Sequence, residues 1–144
     1  MQVSDAMTRD VRVANAGETI AQAAQLMAKL DAGVLPVGEN NRLVGMITDR
    51  DIAVRAVAHG KGPDTSVREV MTKDVKYCFA DQEIEEVTRN MGDIQVRRLP
   101  VVDHNKQLVG ILSLGDVAVT TGDGAAGEAL CGISRAGGAH SQTG

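Results

Sequence analysis

Aromatic side chains are almost missing from this chain, which has one Tyr, one Phe and no Trp. Its core must therefore be built from Val, Ile, Leu, Met and Ala, and it has no row of rings on which single-stranded bases could stack. Cysteine is scarce as well. Cys78 and Cys131 form no C-x-x-C pair, and His59, His104 and His140 share no ligand spacing. That pattern argues against a zinc site and for a reducing, cytoplasmic compartment. No apolar run approaches the roughly 18 residues of a membrane-spanning helix. No basic stretch followed by an apolar one opens the chain, so no signal peptide is expected. Positive charge is not in excess: 15 Lys and Arg stand against 19 Asp and Glu, a net charge of −4. A nucleic-acid partner, which needs a basic surface, is disfavoured. Nucleophile–base orders, H-E-x-x-H and phosphate-loop motifs are also missing, so no catalytic residue and no enzymatic activity are expected.

What is present is globular: 43% apolar and 24% charged residues. The most informative feature is internal duplication. Val3-Ser-Asp-Ala-Met-Thr-Arg-Asp-Val11 reappears as Val67-Arg-Glu-Val-Met-Thr-Lys-Asp-Val75, and Leu35-Pro36-Val37 reappears at the same spacing as Leu99-Pro100-Val101. Leu43-Val44-Gly45 returns one residue late as Leu108-Val109-Gly110, because the polar turn 103–107 is one residue longer than its counterpart.

Each copy reads as β-α-β-β-α. Val11–Ala14, matched by Val75–Cys78, alternates as a short strand. Thr19 is a helix N-cap, followed by Ile20, Ala23, Ala24, Met27 and Leu30 on one face, with Gly33 as the stop. Val34–Val37 and Leu43–Thr48 form a hairpin around a polar turn, and a second helix runs from Asp49 to Gly60. The division is 1–60 for the first repeat, 61–66 for a linker, 67–121 for the second repeat and 122–144 for a glycine-rich tail. In that tail Ala126, Ala129, Leu130 and Ile133 suit a short amphipathic turn or two. One copy leaves an apolar face open, so the two are expected to pack pseudo-symmetrically with clefts along their seam.

One motif repeats at the end of the last strand: Gly45-Met-Ile-Thr48-Asp-Arg-Asp51 and Gly110-Ile-Leu-Ser113-Leu-Gly-Asp116. A single copy reads as an ordinary helix cap, whereas two copies at equivalent positions point to a site. The strand delivers a hydroxyl to a helix start, where free N–H groups and the helix dipole favour an anion. A carboxylate one turn later can accept from two vicinal hydroxyls at once.

These residues resemble the CBS domain family, whose tandem pairs are called Bateman modules. The resemblance rests on Met7-Thr8 and Met71-Thr72, the Leu-Pro-Val strands and the Gly-x-x-Thr/Ser-x-x-Asp motif. It extends from residue 3 to about 120 and is of the stand-alone bacterial CBS-pair type, with no catalytic domain attached. The resemblance implies an α/β (α+β) fold of two pseudo-symmetric CBS repeats packed as a Bateman module. It implies a regulatory module that binds AMP, ATP or NAD as ligand, needs no cofactor or metal, pairs as a homodimer and signals to an unknown protein target, with no nucleic acid or membrane involved. Asp51 and Asp116 would hold the ribose, and Thr48 and Ser113 would approach phosphate. Arg98 first, then Arg97, would reach phosphate in the second copy, where the first copy has Val34 and Gly33; Arg50 would partly compensate in the first. The adenine pocket would be lined by Val11 and Val13 or by Lys76, Tyr77 and Cys78, together with Leu35 or Leu99. Apolar stripes on Ile52/Ala56 and Val117/Val119 would serve dimerisation. The competing reading is a protein-interaction scaffold with vestigial sites.

Overall fold

A computed structural model describes residues 1–121 and 123–134. The chain divides into two compact units. One is contiguous, Arg12–Val75; the other is split, and joins Met1–Val11 to the chain from Lys76 onward.

The contiguous unit holds β1 (Ala14–Asn15), α1 (Ile20–Leu30), β2 (Val34–Glu39), β3 (Arg42–Thr48), α2 (Asp49–Asp51) and α3 (Val67–Val70). The split unit holds β4 (Cys78–Phe79), α4 (Ile84–Ile94), β5 (Arg98–Val102), β6 (Leu108–Ser113), α5 (Leu114–Thr121) and α6 (Asp123–Ser134). Each has a three-stranded sheet, β1-β2-β3 or β4-β5-β6, with a parallel first pair and an antiparallel second pair. The β-α-β-β-α order is thus present twice.

Local chemistry explains most boundaries. The Thr19 hydroxyl accepts from the Gln22 N–H at 3.2 Å while the Gln22 side chain accepts from the Thr19 N–H at 2.9 Å, a reciprocal cap that starts α1. The helix buries Ile20, Ala23 and Met27, but Ala24 and Leu30 of the expected stripe are exposed. It stops at a left-handed Asp31, not at Gly33; Asp is among the few residues whose short polar side chain tolerates that conformation. The β2–β3 turn places Asn40 and Asn41 at positive φ, 53° and 63°, which matches the twist of a two-residue hairpin. The opening strands are shorter than the alternation predicts, because only Ala14 and Asn15 find partners on β2 (Val37 and Gly38), and only Cys78 and Phe79 on β5. The second helix of the contiguous unit keeps regular geometry only through Asp51. It then widens into a π turn over Ile52–Ala56, tightens over Val57–His59 and ends at Gly60.

The opening segment of each repeat packs with the body of the other. Thr72 and Met46 exchange backbone hydrogen bonds at 2.8 and 3.0 Å, as Thr8 and Ile111 do at 2.9 and 2.9 Å. This is why the motif begins with glycine. A Cβ on Gly45 would lie 2.6 Å from Met71 Sδ and 2.8 Å from the Thr72 carbonyl; on Gly110 it would lie 2.7 Å from Met7 Sδ and 2.8 Å from the Thr8 carbonyl.

Each unit has its own aliphatic core. The expected dimer stripes are only partly on the surface: Val117 and Ala56 are fully buried and Ile52 is partly buried, whereas Val119 is exposed, as are the neighbouring Val54 and Val57. The segment from 123 to 134, expected as part of the tail with only a turn or two of helix, is the 12-residue helix α6. It packs on α4 and α5 and buries Ala126 and Ala129. The expected loose end at 136–144 lies outside the described residues. No helix among the described residues is long and apolar enough to cross a membrane.

Candidate functional site

The repeated motif closes the same way in both units. The Thr48 N–H donates to Asp51 Oδ2 at 3.0 Å and the Asp51 N–H donates to Thr48 Oγ1 at 2.9 Å. The Ser113 N–H donates to Asp116 Oδ2 at 3.1 Å and the Asp116 N–H donates to Ser113 Oγ at 3.0 Å. Each carboxylate is thereby held at a helix start through its Oδ2. Both side chains are half-buried.

The surroundings differ. In the contiguous unit Arg55 Nε lies 3.7 Å from Asp51 Oδ1, and its Nη1 donates to the Val70 and Met71 carbonyls at 3.4 and 3.3 Å. One cation thus ties the motif carboxylate to the second opening segment. In the split unit the position of Arg55 is taken by Thr120, which bonds back to the Asp116 carbonyl. There the Thr8 hydroxyl, from the first opening segment, donates to Asp116 Oδ2 at 3.4 Å. Arg55 and Thr8 are the two neighbours that sequence reasoning missed. The signal for Thr8 was its place in the repeated Met-Thr pair; Arg55, one helical turn after Asp51, offered an i,i+4 pairing.

The sheet register places the arginines. Arg98 is directly opposite Ser113 across β5–β6, as Val34 is opposite Thr48, so each pair shares one sheet face. The Arg97 carbonyl accepts from the Leu114 N–H at 2.9 Å, at the motif's helix start. Arg97, Arg98 and Arg50 are exposed. Leu35 and Leu99 pair with Ile47 and Leu112 on the opposite face and are buried in the cores. Val11 and Val13 lie outside β1, Val13 exposed and Val11 half-buried. Lys76 is exposed just before β4. The Cys78 thiol is buried against the Pro100 carbonyl, and burial pushes its pKa up to about 12, so it does not ionise near neutral pH.

Tyr77 is exposed. Its ring meets Phe79 edge-on at 5.7 Å, and Phe79 stacks on His104 at 5.1 Å. His104 Nε2 in turn lies 2.7 Å from Asp81 Oδ2. That hydrogen bond raises the His104 pKa and lowers that of Asp81.

The CBS domain family matches residues 3–57 and 67–120. This chain belongs to the CBS domain family, as a tandem pair or Bateman module. As a CBS pair it is a non-catalytic regulatory module. It is 43% identical over 133 residues to the CBS domain-containing protein YhcV of Bacillus subtilis, an alignment spanning 92% of this chain and 94% of that protein. Among solved structures it is similar to Hypoxic Response Protein I, with a TM-score of 0.76 and 37% identity over 83% of this chain and 98% of that one. It is also similar to the CBS domain pair of protein MJ0100, with a TM-score of 0.75 and 29% identity over 85% of this chain and 96% of that one. The MJ0100 pair is solved in complex with 5′-methylthioadenosine and S-adenosyl-L-methionine, so a CBS pair takes adenosine-derived ligands.

The expectation that AMP, ATP or NAD would be the sole ligand, with no cofactor and no metal, is corrected here. Hypoxic Response Protein I is solved with two coordinated zinc ions, so a CBS pair of this kind is not confined to nucleotides. Scarce cysteine and irregular histidine spacing were weak grounds, since ligands converge in space and need not converge in sequence. Among the described residues of this chain no three His, Cys, Asp or Glu side chains converge as a metal-ligand set. The His104–Asp81 pair supplies two candidate donors, which does not make a closed zinc site.

Proposed function

We propose that this CBS pair is a sensor that binds an adenosine-derived ligand, of the AMP, ATP or NAD type, at the Thr48–Asp51 and Ser113–Asp116 helix starts and signals to a protein partner as a cytoplasmic homodimer. The observation that carries the reading is the identical reciprocal cap in both units, which holds a half-buried carboxylate beside a helix start. In the proposed roles Asp51 and Asp116 accept from ribose hydroxyls and the helix starts face phosphate. Arg98, on the face of Ser113, adds a bidentate phosphate contact, and Arg97 and Arg50 add positive charge at the rims. The ligand of the MJ0100 pair supports the adenosine class.

A scaffold with vestigial sites is the second reading. It is favoured by the same caps, because a purely structural cap would satisfy these side chains in the same way. Calorimetry with AMP, ATP, NAD and 5′-methylthioadenosine separates the two. The sensor reading expects binding that the double variant Asp51→Ala/Asp116→Ala abolishes. Equal heats for the wild type and the double variant with all four compounds would favour the scaffold.

A further inference from the structure

We infer that α6 is the output element of the split unit: its docking on α4 and α5 is coupled to the position of Asp116, so that the site and the C-terminal helix report on each other. The sensor reading supplies the ligand; the mechanical link stands on contacts within one unit.

The contact with α4 is made backbone to backbone. A Cβ on Gly132 would lie 2.7–2.8 Å from the carbonyl, C and Cα of Gly92, and a Cβ on Gly92 would lie 3.3 Å from Ala129 Cα. A second tie is polar. The Gln95 amide donates to the Gly132 and Ile133 carbonyls at 3.2 and 3.5 Å, and so satisfies the last turn of α6. From there the connection runs to the site through packing. Ala126 of α6 and Val117 of α5 belong to one buried cluster, and Val117 follows Asp116 directly.

The contiguous unit has no such brace among its described residues. The counterparts of Gly92 and Gln95 are Ala28, exposed on α1, and Asp31, the residue that ends it. An Asp carboxylate cannot donate to helix-end carbonyls, and Ala28 carries the Cβ that Gly92 omits. The counterpart of Val117 is Ile52, which is only partly buried, and the helix after Asp51 departs from regular geometry at that residue. The regular helix that carries Asp116 is the one that α6 braces.

A coupling of this kind is reciprocal: ligand at Asp116 holds α6 down, and releasing α6 weakens the ligand by the same factor. The test uses the full chain. Gly132→Ala raises the intrinsic helix propensity of α6 while making its seat on Gly92 impossible; Gln95→Ala removes the polar tie without touching the packing. Amide hydrogen exchange, without ligand, should speed up in α6 and in residues 114–118 of both variants, and remain unchanged in residues 49–56. In an Asp51→Ala background, Gly132→Ala should weaken 5′-methylthioadenosine about fivefold or more, and the nucleoside should in turn protect α6 amides. Faster exchange in α6 with none in 114–118 would overturn the coupling, as would unchanged exchange in α6 in both variants. Faster exchange in both segments, with no nucleoside bound by any form, supports the brace and sinks the ligand reading.

Discussion

The two units start from one sequence pattern and finish differently. Both close their motif with the same cap, yet the contiguous unit restrains its carboxylate with a charge, Arg55, while the split unit uses a neutral hydroxyl, Thr8, and a regular helix covered by α6. A carboxylate already near a guanidinium offers a ligand less than one whose neighbours are neutral. Exposed positive charge is divided the other way, with Arg97 and Arg98 beside the split unit's motif and Arg50 within the other, where Arg55 is already paired with Asp51. Under the proposed function the difference would make two sites of unequal strength and unequal taste for phosphate, a comparison that six substitutions should break or sharpen.

The largest effect is expected from the glycines under the opening segments. Gly110→Val should destabilise the split unit by about 2–3 kcal/mol, since its side chain collides with backbone and a buried Met; Gly45→Val should do the same to the contiguous unit. Chemical denaturation followed by exchange at each sheet would show whether one unit loosens while the other holds. Next comes the carboxylate pair. Asp116→Ala should reduce nucleotide affinity tenfold or more at its site, and Asp51→Ala should cost less, because Arg55 is freed to meet phosphate. Titration calorimetry of the two single variants measures this, and equal losses would erase the proposed inequality. Arg98→Ala should be milder, narrowing the gap between ATP and AMP affinity while leaving adenosine nearly unchanged. If adenosine weakened as much as ATP, Arg98 would be a structural residue.

The smallest effect concerns a feature that only the split unit has, the His104–Asp81 pair beside Phe79. His104 is raised above its ordinary value of 6.5, so its contribution is fully present below that value and is lost as pH rises through the folded pKa. Asp81 is lowered below 3.8, so its contribution is present above that value and lost as pH falls through the folded pKa. His104→Ala should therefore lower the melting temperature slightly at about pH 5.5 and hardly at all at about pH 8.5. A larger shift at the higher pH would reverse the sign and remove the pair from consideration.

Much of this architecture was legible in the sequence, and the failures have physical causes. The hairpins, the Thr19 cap and the paired motifs were readable because turn and cap chemistry is local. The exchanged openings were not, because identical Met-Thr segments fit either repeat's glycine and only the fold decides which. Helix α6 was hidden by its own composition. Gly124, Gly127 and Gly132 argue against helix on propensity, and one of them is there because Gly92 lies against it. The Tyr77–Phe79–His104 ring cluster was hidden because His104 is distant in sequence and comes in only through the fold. The zinc of a similar protein was out of reach because ligand sets are assembled by folding.

The split in the second unit also sets an order of events during synthesis. Residues 12–75 are complete as a body once Val75 has been made, so this unit can fold early from contiguous chain. Residues 1–11 precede it, but their partner strand, β6, is made only after it is finished. They must stay undocked through that interval and then find Gly110 across a loop that already contains a folded body. Loop closure of that kind slows folding more than it weakens the final state. The exposed first segment, with Val3 and Met7 still in water, is the part of a nascent chain that a chaperone or a second copy's split unit has longest to capture.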